Sequence, residues 1–237
     1  MRRFLTITLV VLTSGLVLSL TGCIGGESTA SSEEVGSNPT ENISSETFVD
    51  EGPPLPADGL TIALKYVDYI NEENQPILGK QTTKQVVKEI NEIYITCGIR
   101  FRVEDYLAVI PKDLGLDYSP TSMGDLTPIR ESFDEPGKLV VINTGAWNQA
   151  GGLGADGANA WTTMPGQDPS GVVLEKAVSS NSPLVAHELG HYLSLDHFNN
   201  ASNLMNPIIY ENTKELSPNQ CSAMRESAQT VWTAALR

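Results

Sequence analysis

The histidines of this chain are gathered in one short stretch. The sequence contains three histidines, and all of them lie in VAHELGHYLSLDH at residues 185–197. His187 and His191 are four residues apart, so on a helix both imidazoles project from one face. Ser182 and Pro183 precede them and favour a helix start there. Because buried imidazoles beside a carboxylate are costly without partners, and because neutral imidazole nitrogens suit zinc, the stretch predicts a metal site.

A zinc ion needs a third protein ligand and an open fourth position for water. His197 is the remaining histidine. On an unbroken helix it would lie about 9 Å further along than His191 and about 120° around the axis, too far to share one metal. We therefore expect the helix to end between residues 191 and 197 and the chain to turn back. A second, histidine-bound structural zinc is excluded, because no histidine remains for it.

The pattern of these residues resembles the metzincin family of zinc metalloproteases, whose motif is H-E-x-x-H-x-x-G-x-x-H followed by a methionine turn. The matching residues are His187, Glu188, His191 and His197. The later segment NLMNP at residues 203–207 resembles the methionine turn and contains Met205. The resemblance covers roughly residues 60–237 and is strongest to the matrixin and pappalysin branches. It implies an α/β (α+β) zincin catalytic domain: a mixed twisted sheet, an active-site helix and a C-terminal helix.

The same resemblance implies roles for individual residues. Glu188 would be the general base of a zinc-dependent endopeptidase that hydrolyses protein or peptide substrates, with one catalytic zinc. Met205 would pack beneath the metal, and residues 207–210 would line the pocket for a substrate side chain. Tyr210 is a candidate to stabilise the oxyanion, although a packed or surface tyrosine is the alternative. Asp196 would make a contact near the helix end rather than bind metal.

Ser194 departs from the family pattern, because it stands where the motif has glycine. That glycine usually takes a left-handed backbone conformation that bends the chain. A serine there costs on the order of 1 kcal/mol. Structural zinc sites contribute about 10 kcal/mol or more, so zinc binding tolerates one such residue. We expect the departure to affect the turn more than the metal.

The N-terminus has the pattern of an export signal. Arg2 and Arg3 precede an almost wholly apolar stretch at residues 4–20. A membrane-spanning helix is the alternative interpretation of this stretch. The following LTGC resembles the lipobox of prokaryotic lipoproteins, which implies a signal peptide at residues 1–22 and a lipid on Cys23. The protein would then be lipid-anchored on the extracytoplasmic face of the cell membrane, or released from it.

The segment that follows predicts a flexible spacer. Residues 23–57 are rich in Ser, Gly, Pro and acidic residues, and they contain no Lys or Arg. Such a segment buries too little apolar surface to offset the entropy of ordering it. The catalytic domain is therefore expected at residues 58–237. Cys97 and Cys221 lie in it, and they either pair in the oxidising compartment or remain two buried thiols.

Apolar periodicity predicts the elements of that domain. The predicted strands are at residues 60–70, 99–110, 138–145 (central), 158–164 and 171–176. Helices are predicted at 82–98 and, with Ser217 as N-cap, over 217–236. The strand at 158–164 would pair with an extended substrate. The glycine-rich loop before it could bind calcium through Asp156, with a plain flexible loop as the alternative.

Charge and composition restrict the partners. The formal net charge of −14 argues against nucleic acid, whose phosphates require clustered Lys and Arg. We expect a monomer.

Two other functions remain open: an inactive binding or adhesion lipoprotein on the same scaffold, and a zinc hydrolase of cell-wall peptides. The presence of Glu188 argues against the first, since an inactive scaffold needs no general base.

Overall fold

The structure is a computed structural model, and it describes residues 53–148, 151–167, 169–210 and 212–237. The predicted signal peptide at residues 1–22, the lipidation residue Cys23 and nearly all of the predicted linker lie outside the described residues. Within the described part of the chain, no helix is both long and apolar enough to cross a membrane.

The domain is built on a five-stranded mixed sheet. Its strands are β1 (Leu60–Tyr69), β2 (Ile99–Val109), β3 (Leu139–Thr144), β4 (Ala160–Thr162) and β5 (Val172–Glu175). The strand order is β2-β1-β3-β5-β4. The neighbours from β2 to β5 pair in parallel, and β4 pairs with β5 in the antiparallel direction. β3 is therefore central, as predicted, and its residues are all buried.

In the described part of the chain, four α-helices accompany the sheet: α1 (Lys80–Tyr94), α2 (Met123–Phe133), α3 (Ser182–Tyr192) and α4 (Pro218–Thr230). α1 buries the apolar face that its sequence predicts and connects β1 to the parallel strand β2. A 3-10 turn follows α1 and ends at Gly98, whose φ of 65° is left-handed and suits glycine. The mixed sheet with a site helix and a C-terminal helix confirms the predicted α/β fold class.

The sequence patterns did not predict α2. Its N-terminus has a capping box between Ser122 and Asp125, where aspartate replaces the Glu or Gln of the usual signal. Pro128 inside the helix further weakens the sequence pattern. Leu126, Ile129 and Phe133 nevertheless bury against the sheet face opposite to α1 and α3. Tertiary packing on that face explains why a helix with weak local signals is formed.

α3 lies on the other face of the sheet and is fixed there by α1. The Tyr94 hydroxyl at the end of α1 donates a 2.7 Å hydrogen bond to the Ala186 carbonyl oxygen in α3. The Ser182 hydroxyl donates another, also 2.7 Å, to the Glu89 carboxylate. Cys97 and Cys221 form a disulfide that joins the turn after α1 to α4, with their Cα atoms 4.9 Å apart. The two hydrogen bonds join the site helix to α1, and the disulfide joins the end of α1 to α4.

Candidate metal centre and active site

α3 carries the first two histidines and ends before the third. Asn181 caps its start by accepting a hydrogen bond from the Leu184 backbone N–H, so Ser182 and Pro183 are its first residues. The helix ends at Tyr192. Ser194 then adopts φ of 72°, the left-handed conformation expected at the family glycine. The chain turns back there.

Three ring nitrogens converge on one point. The Nε2 atoms of His187 and His191 lie 3.0 Å apart, and those of His191 and His197 lie 3.2 Å apart. Two Zn–N bonds of about 2.0–2.1 Å at a tetrahedral angle would place the nitrogens about 3.3 Å apart. The three imidazoles therefore fit zinc as it is bound in open catalytic sites.

Backbone carbonyls set the tautomer of two of these rings. The Nδ1–H of His187 donates to the Leu204 carbonyl oxygen, and that of His191 donates to the Leu195 carbonyl oxygen, each at 2.7 Å. Both Nε2 lone pairs are consequently free for a metal. Burial lowers the pKa of His187 to about 4, although its bond to Leu204 opposes the shift. Burial also lowers the pKa of His191, so both rings are kept in the neutral form that binds zinc.

Glu188 lies beside this triad in a buried position. Its side chain is 8% exposed and accepts a hydrogen bond from the Thr162 hydroxyl on β4. Burial raises the pKa of Glu188 to about 7, while Thr162 and the positive charge of Arg130 act in the opposite direction. Arg130 reaches the region from α2 and donates to the carbonyl oxygens of Gly171 and Trp161 at 2.9 and 3.0 Å. A carboxylate in this setting can both accept and release a proton near neutral pH.

Met205 is fully buried and packs against α3 at Gly190. A Cβ atom at Gly190 would lie 2.5 Å from the Met205 sulfur, so the glycine allows this close approach. The Met205 backbone N–H donates to the Asn203 side chain, and its carbonyl oxygen accepts from Phe198 N–H at 2.7 Å. The turn that contains Met205 thus supports the segment next to His197.

The triad and Glu188 line a cleft of about 710 Å³. The other residues that line it include the segment 157–162, which contains the edge strand β4, and Pro207, Ile208 and Ile209. Tyr210 is 48% exposed and is not among the residues that line the cleft. Asp196 is exposed and does not belong to the group of ligand atoms. The cleft wall is therefore largely apolar around the buried carboxylate.

Thr162, Arg130 and the residues that support the bend were not singled out from the sequence. Thr162 lies in the predicted edge strand, but nothing in its local sequence indicates contact with Glu188.

Asp156 lies in a 3-10 turn at Gly152–Gly157, and its side chain is outside the described part of the structure. Among the side chains that are described, the histidine triad is the one group of at least three His, Cys, Asp or Glu residues that could hold a metal. A calcium site at Asp156 gains no support.

Solved structures that are similar to this chain include two metalloproteinase-related proteins. Metalloproteinase-II from Bacteroides fragilis aligns with a TM-score of 0.48 and 14% identity, covering 74% of this chain and 56% of that one. The chain thus spans little more than half the length of that protein. Archaemetzincin from Methanopyrus kandleri aligns with a TM-score of 0.49 and 12% identity, covering 73% of this chain and 98% of that one. No curated protein sequence matches the chain.

The family model of matrixins, peptidase family M10, matches residues 64–226. This span covers well over half of the chain and contains the three histidines, Glu188 and Met205. The match confirms the resemblance that the histidine motif indicated, and it implies zinc for the triad. The chain therefore belongs to the matrixin family of zinc metallopeptidases.

Proposed function

We propose that this protein is a zinc-dependent endopeptidase that hydrolyses peptide bonds in the cleft between β4 and the segment 207–209. The observation that carries the proposal is the convergence of three imidazole Nε2 atoms beside the buried carboxylate of Glu188. Both groups line the same cleft. Metal ligands, a candidate base and room for substrate therefore occur together.

His187, His191 and His197 would hold the metal through their Nε2 atoms. Zinc bound there would supply Lewis-acid polarisation of the scissile carbonyl and lower the pKa of water at the open position. The hydrogen bonds from Nδ1 of His187 and His191 to backbone carbonyls hold these two rings in the required orientation. These two rings therefore need no rearrangement when the metal binds.

Glu188 would act as the general base and then as the general acid. Its carboxylate lies in the cleft, where it can accept a proton from the attacking water and return it to the leaving amine. Burial raises the pKa of this carboxyl toward neutral, which suits a group that accepts a proton and later returns it near pH 7. The Thr162 hydroxyl fixes one carboxylate oxygen and leaves the other for water.

An extended peptide would lie along β4. This strand pairs with β5, is the last strand in the order of the sheet, and lines the cleft with all three of its residues. Peptide backbones add to exposed strand edges through main-chain hydrogen bonds, which recognise a substrate without requiring one sequence. The apolar cleft wall at residues 207–209 would receive a side chain of the substrate.

We also propose that the protein acts as a monomer outside the cell membrane, held by a lipid on Cys23. The support for the anchor comes from the sequence: the apolar stretch at residues 4–20, the LTGC segment and the polar linker at 23–57. Metabolic labelling with a lipid precursor should mark the wild-type protein. It should fail to mark the Cys23→Ser variant.

Glu188→Gln tests the function. We expect the variant to bind one zinc per chain, as the wild type does, while cleavage of an unfolded protein falls by about 10²–10⁴-fold. Glu226→Gln, at an exposed position on α4, is the matched control and should cleave normally. Equal cleavage by both variants would contradict the role of Glu188. One zinc without wild-type cleavage of proteins would favour a binding lipoprotein, or an enzyme that acts only on cell-wall peptides.

A further inference from the structure

The bend between the second and third ligands is attached to the C-terminal helix. The Ser194 hydroxyl donates a 2.8 Å hydrogen bond to the hydroxyl of Ser227 on α4. Ser227 is buried, whereas Ser194 is exposed. Ser194 is also one of two non-glycine residues with positive φ among the described residues. A strained residue thus has a fixed partner on another element.

Neighbouring contacts hold the same bend from both sides. The Trp232 indole N–H, just after α4, donates to the Tyr192 carbonyl oxygen at 2.8 Å, where α3 ends. The Leu195 backbone N–H donates to the Gly190 carbonyl oxygen at 2.9 Å, and the Leu195 carbonyl oxygen accepts the His191 ring. The residue after Ser194 therefore orients one metal ligand directly, and the chain reaches His197 two residues later.

We propose that Ser227 is a positioning residue that holds the left-handed bend at Ser194, and thereby the orientation of His191 and the place of His197. A glycine needs no such support, because it adopts positive φ without steric cost. A serine at the bend has this steric cost, and the hydrogen bond from its hydroxyl to Ser227 on α4 offsets part of it. The Cys97–Cys221 disulfide, on the same helix, fixes α4 to the body of the domain.

The bond between the two serines is tested by a double-mutant cycle on zinc affinity. Ser227→Ala and Ser194→Ala, each in the full chain, should weaken zinc binding by about 3- to 10-fold, at or below the range for residues that orient ligands. The double variant should be no weaker than either single variant. Ser222→Ala, on the exposed side of α4 with a hydroxyl bonded within the helix, is the control and should bind zinc like the wild type.

Ser194→Gly provides a rescue that a general loss of stability would not produce. Ser194→Gly should bind zinc as tightly as the wild type. Adding Ser227→Ala to Ser194→Gly should not weaken zinc binding further. The absorption spectrum of the cobalt-loaded protein, which reports ligand geometry, should shift in Ser227→Ala and return in Ser194→Gly/Ser227→Ala. Affinity is measured by competition with a chromophoric chelator, so the result does not depend on turnover.

The inference rests on the proposed zinc site, and the two fail in different ways. If the wild type binds no zinc, the proposed function is wrong. If the wild type binds zinc and Ser227→Ala has the same zinc affinity as Ser222→Ala, the positioning role is overturned. It is also overturned if the losses of zinc affinity in Ser227→Ala and Ser194→Ala add in the double variant. Should Ser227→Ala fail to fold, Ser194→Ala and Ser194→Gly at the exposed end of the bond decide the question.

Discussion

The side-chain amides of Asn203 and Gln220 exchange two hydrogen bonds, of 2.8 and 2.9 Å. Asn203 also accepts the backbone N–H of Met205, and Gln220 also accepts the backbone N–H of Ser217, the N-cap of α4. One amide pair therefore connects the turn that contains Met205 to the start of the C-terminal helix. Each amide donates and accepts hydrogen bonds at the same time, so replacing either one by an apolar group would leave its partners without these bonds.

Asn203→Ala should destabilise the protein by about 2–3 kcal/mol, because it leaves the Met205 N–H and the Gln220 amide without their partner in a buried setting. Urea unfolding of the zinc-loaded protein measures the change. Gln229→Ala, at an exposed position of α4, should change the free energy of unfolding by less than about 0.5 kcal/mol. Similar values for both variants would show that the amide pair contributes little.

Gly190→Ala should destabilise the domain by about 1–3 kcal/mol through overpacking against the Met205 sulfur. Gly124→Ala in α2 is the matched control, since its Cβ would meet only the Ser122 hydroxyl oxygen at 3.5 Å, an ordinary contact. That control should be neutral or slightly stabilising, because alanine favours helices. Thermal unfolding of the two variants side by side checks the prediction, which fails if Gly190→Ala is as stable as Gly124→Ala.

Thr162→Val removes the hydroxyl that binds the Glu188 carboxylate and keeps the shape of the side chain. Hydrogen bonds to charged groups contribute about 1.5–3 kcal/mol, so we expect kcat to fall by about 10-fold or more with KM and zinc content little changed. Steady-state kinetics on a peptide substrate measure the two constants separately. Thr163→Val, whose hydroxyl bonds instead to the Pro169 carbonyl oxygen, should retain wild-type kcat. A change confined to KM would argue that Thr162 contacts substrate rather than positions the base.

Glu104 and Arg237 form a bidentate ion pair, with both N–O distances at 2.8 Å. The hydrogen bonds and positive charge of Arg237, together with those of Arg102, lower the pKa of Glu104 from 4.5 to about 2, although burial opposes the shift. Since the folded pKa lies below the unfolded one, the pair stabilises the protein above about pH 5, and this contribution is lost as the pH falls toward 2. Glu104→Gln should therefore cost about 1 kcal/mol at pH 7, after allowance for solvent screening, and nearly nothing near pH 2.

Unfolding by urea at several pH values tests this dependence as a difference between variant and wild type, so that acid effects on the rest of the protein cancel. Glu92→Gln, at an exposed position of α1, supplies the control and should differ from the wild type at no pH. A stability difference for Glu104→Gln that is independent of pH would contradict the ion-pair explanation.

Local patterns in the sequence predicted much of this domain. The spacing of His187 and His191 predicted the site helix, and the position of His197 required the bend that the structure has at Ser194. The capping box at Ser217 predicted α4. Each of these signals lies within a few residues of the feature that it predicts.

Such local patterns could not predict contacts between segments that are distant along the chain. Thr162 meets Glu188 across 26 positions, and Ser194 meets Ser227 across 33. No periodicity in either segment specifies its partner, because the partner is determined by how strands and helices pack. The helix α2 was missed for the same reason, since its stability comes from the sheet face rather than from its own sequence.

The group of histidine ligands is local in sequence, whereas the residues that surround Glu188 are distant from it along the chain. All three ligands, and the carbonyls of Leu195 and Leu204 that orient two of them, fall within residues 187–205. Thr162 and Arg130, which surround Glu188, come from other elements. Closing a short loop costs little entropy, whereas joining remote strands requires most of the fold. The metal centre therefore depends mainly on the local path of the chain, whereas the surroundings of Glu188 depend on the packing of the edge strand β4 and of α2 against the rest of the domain.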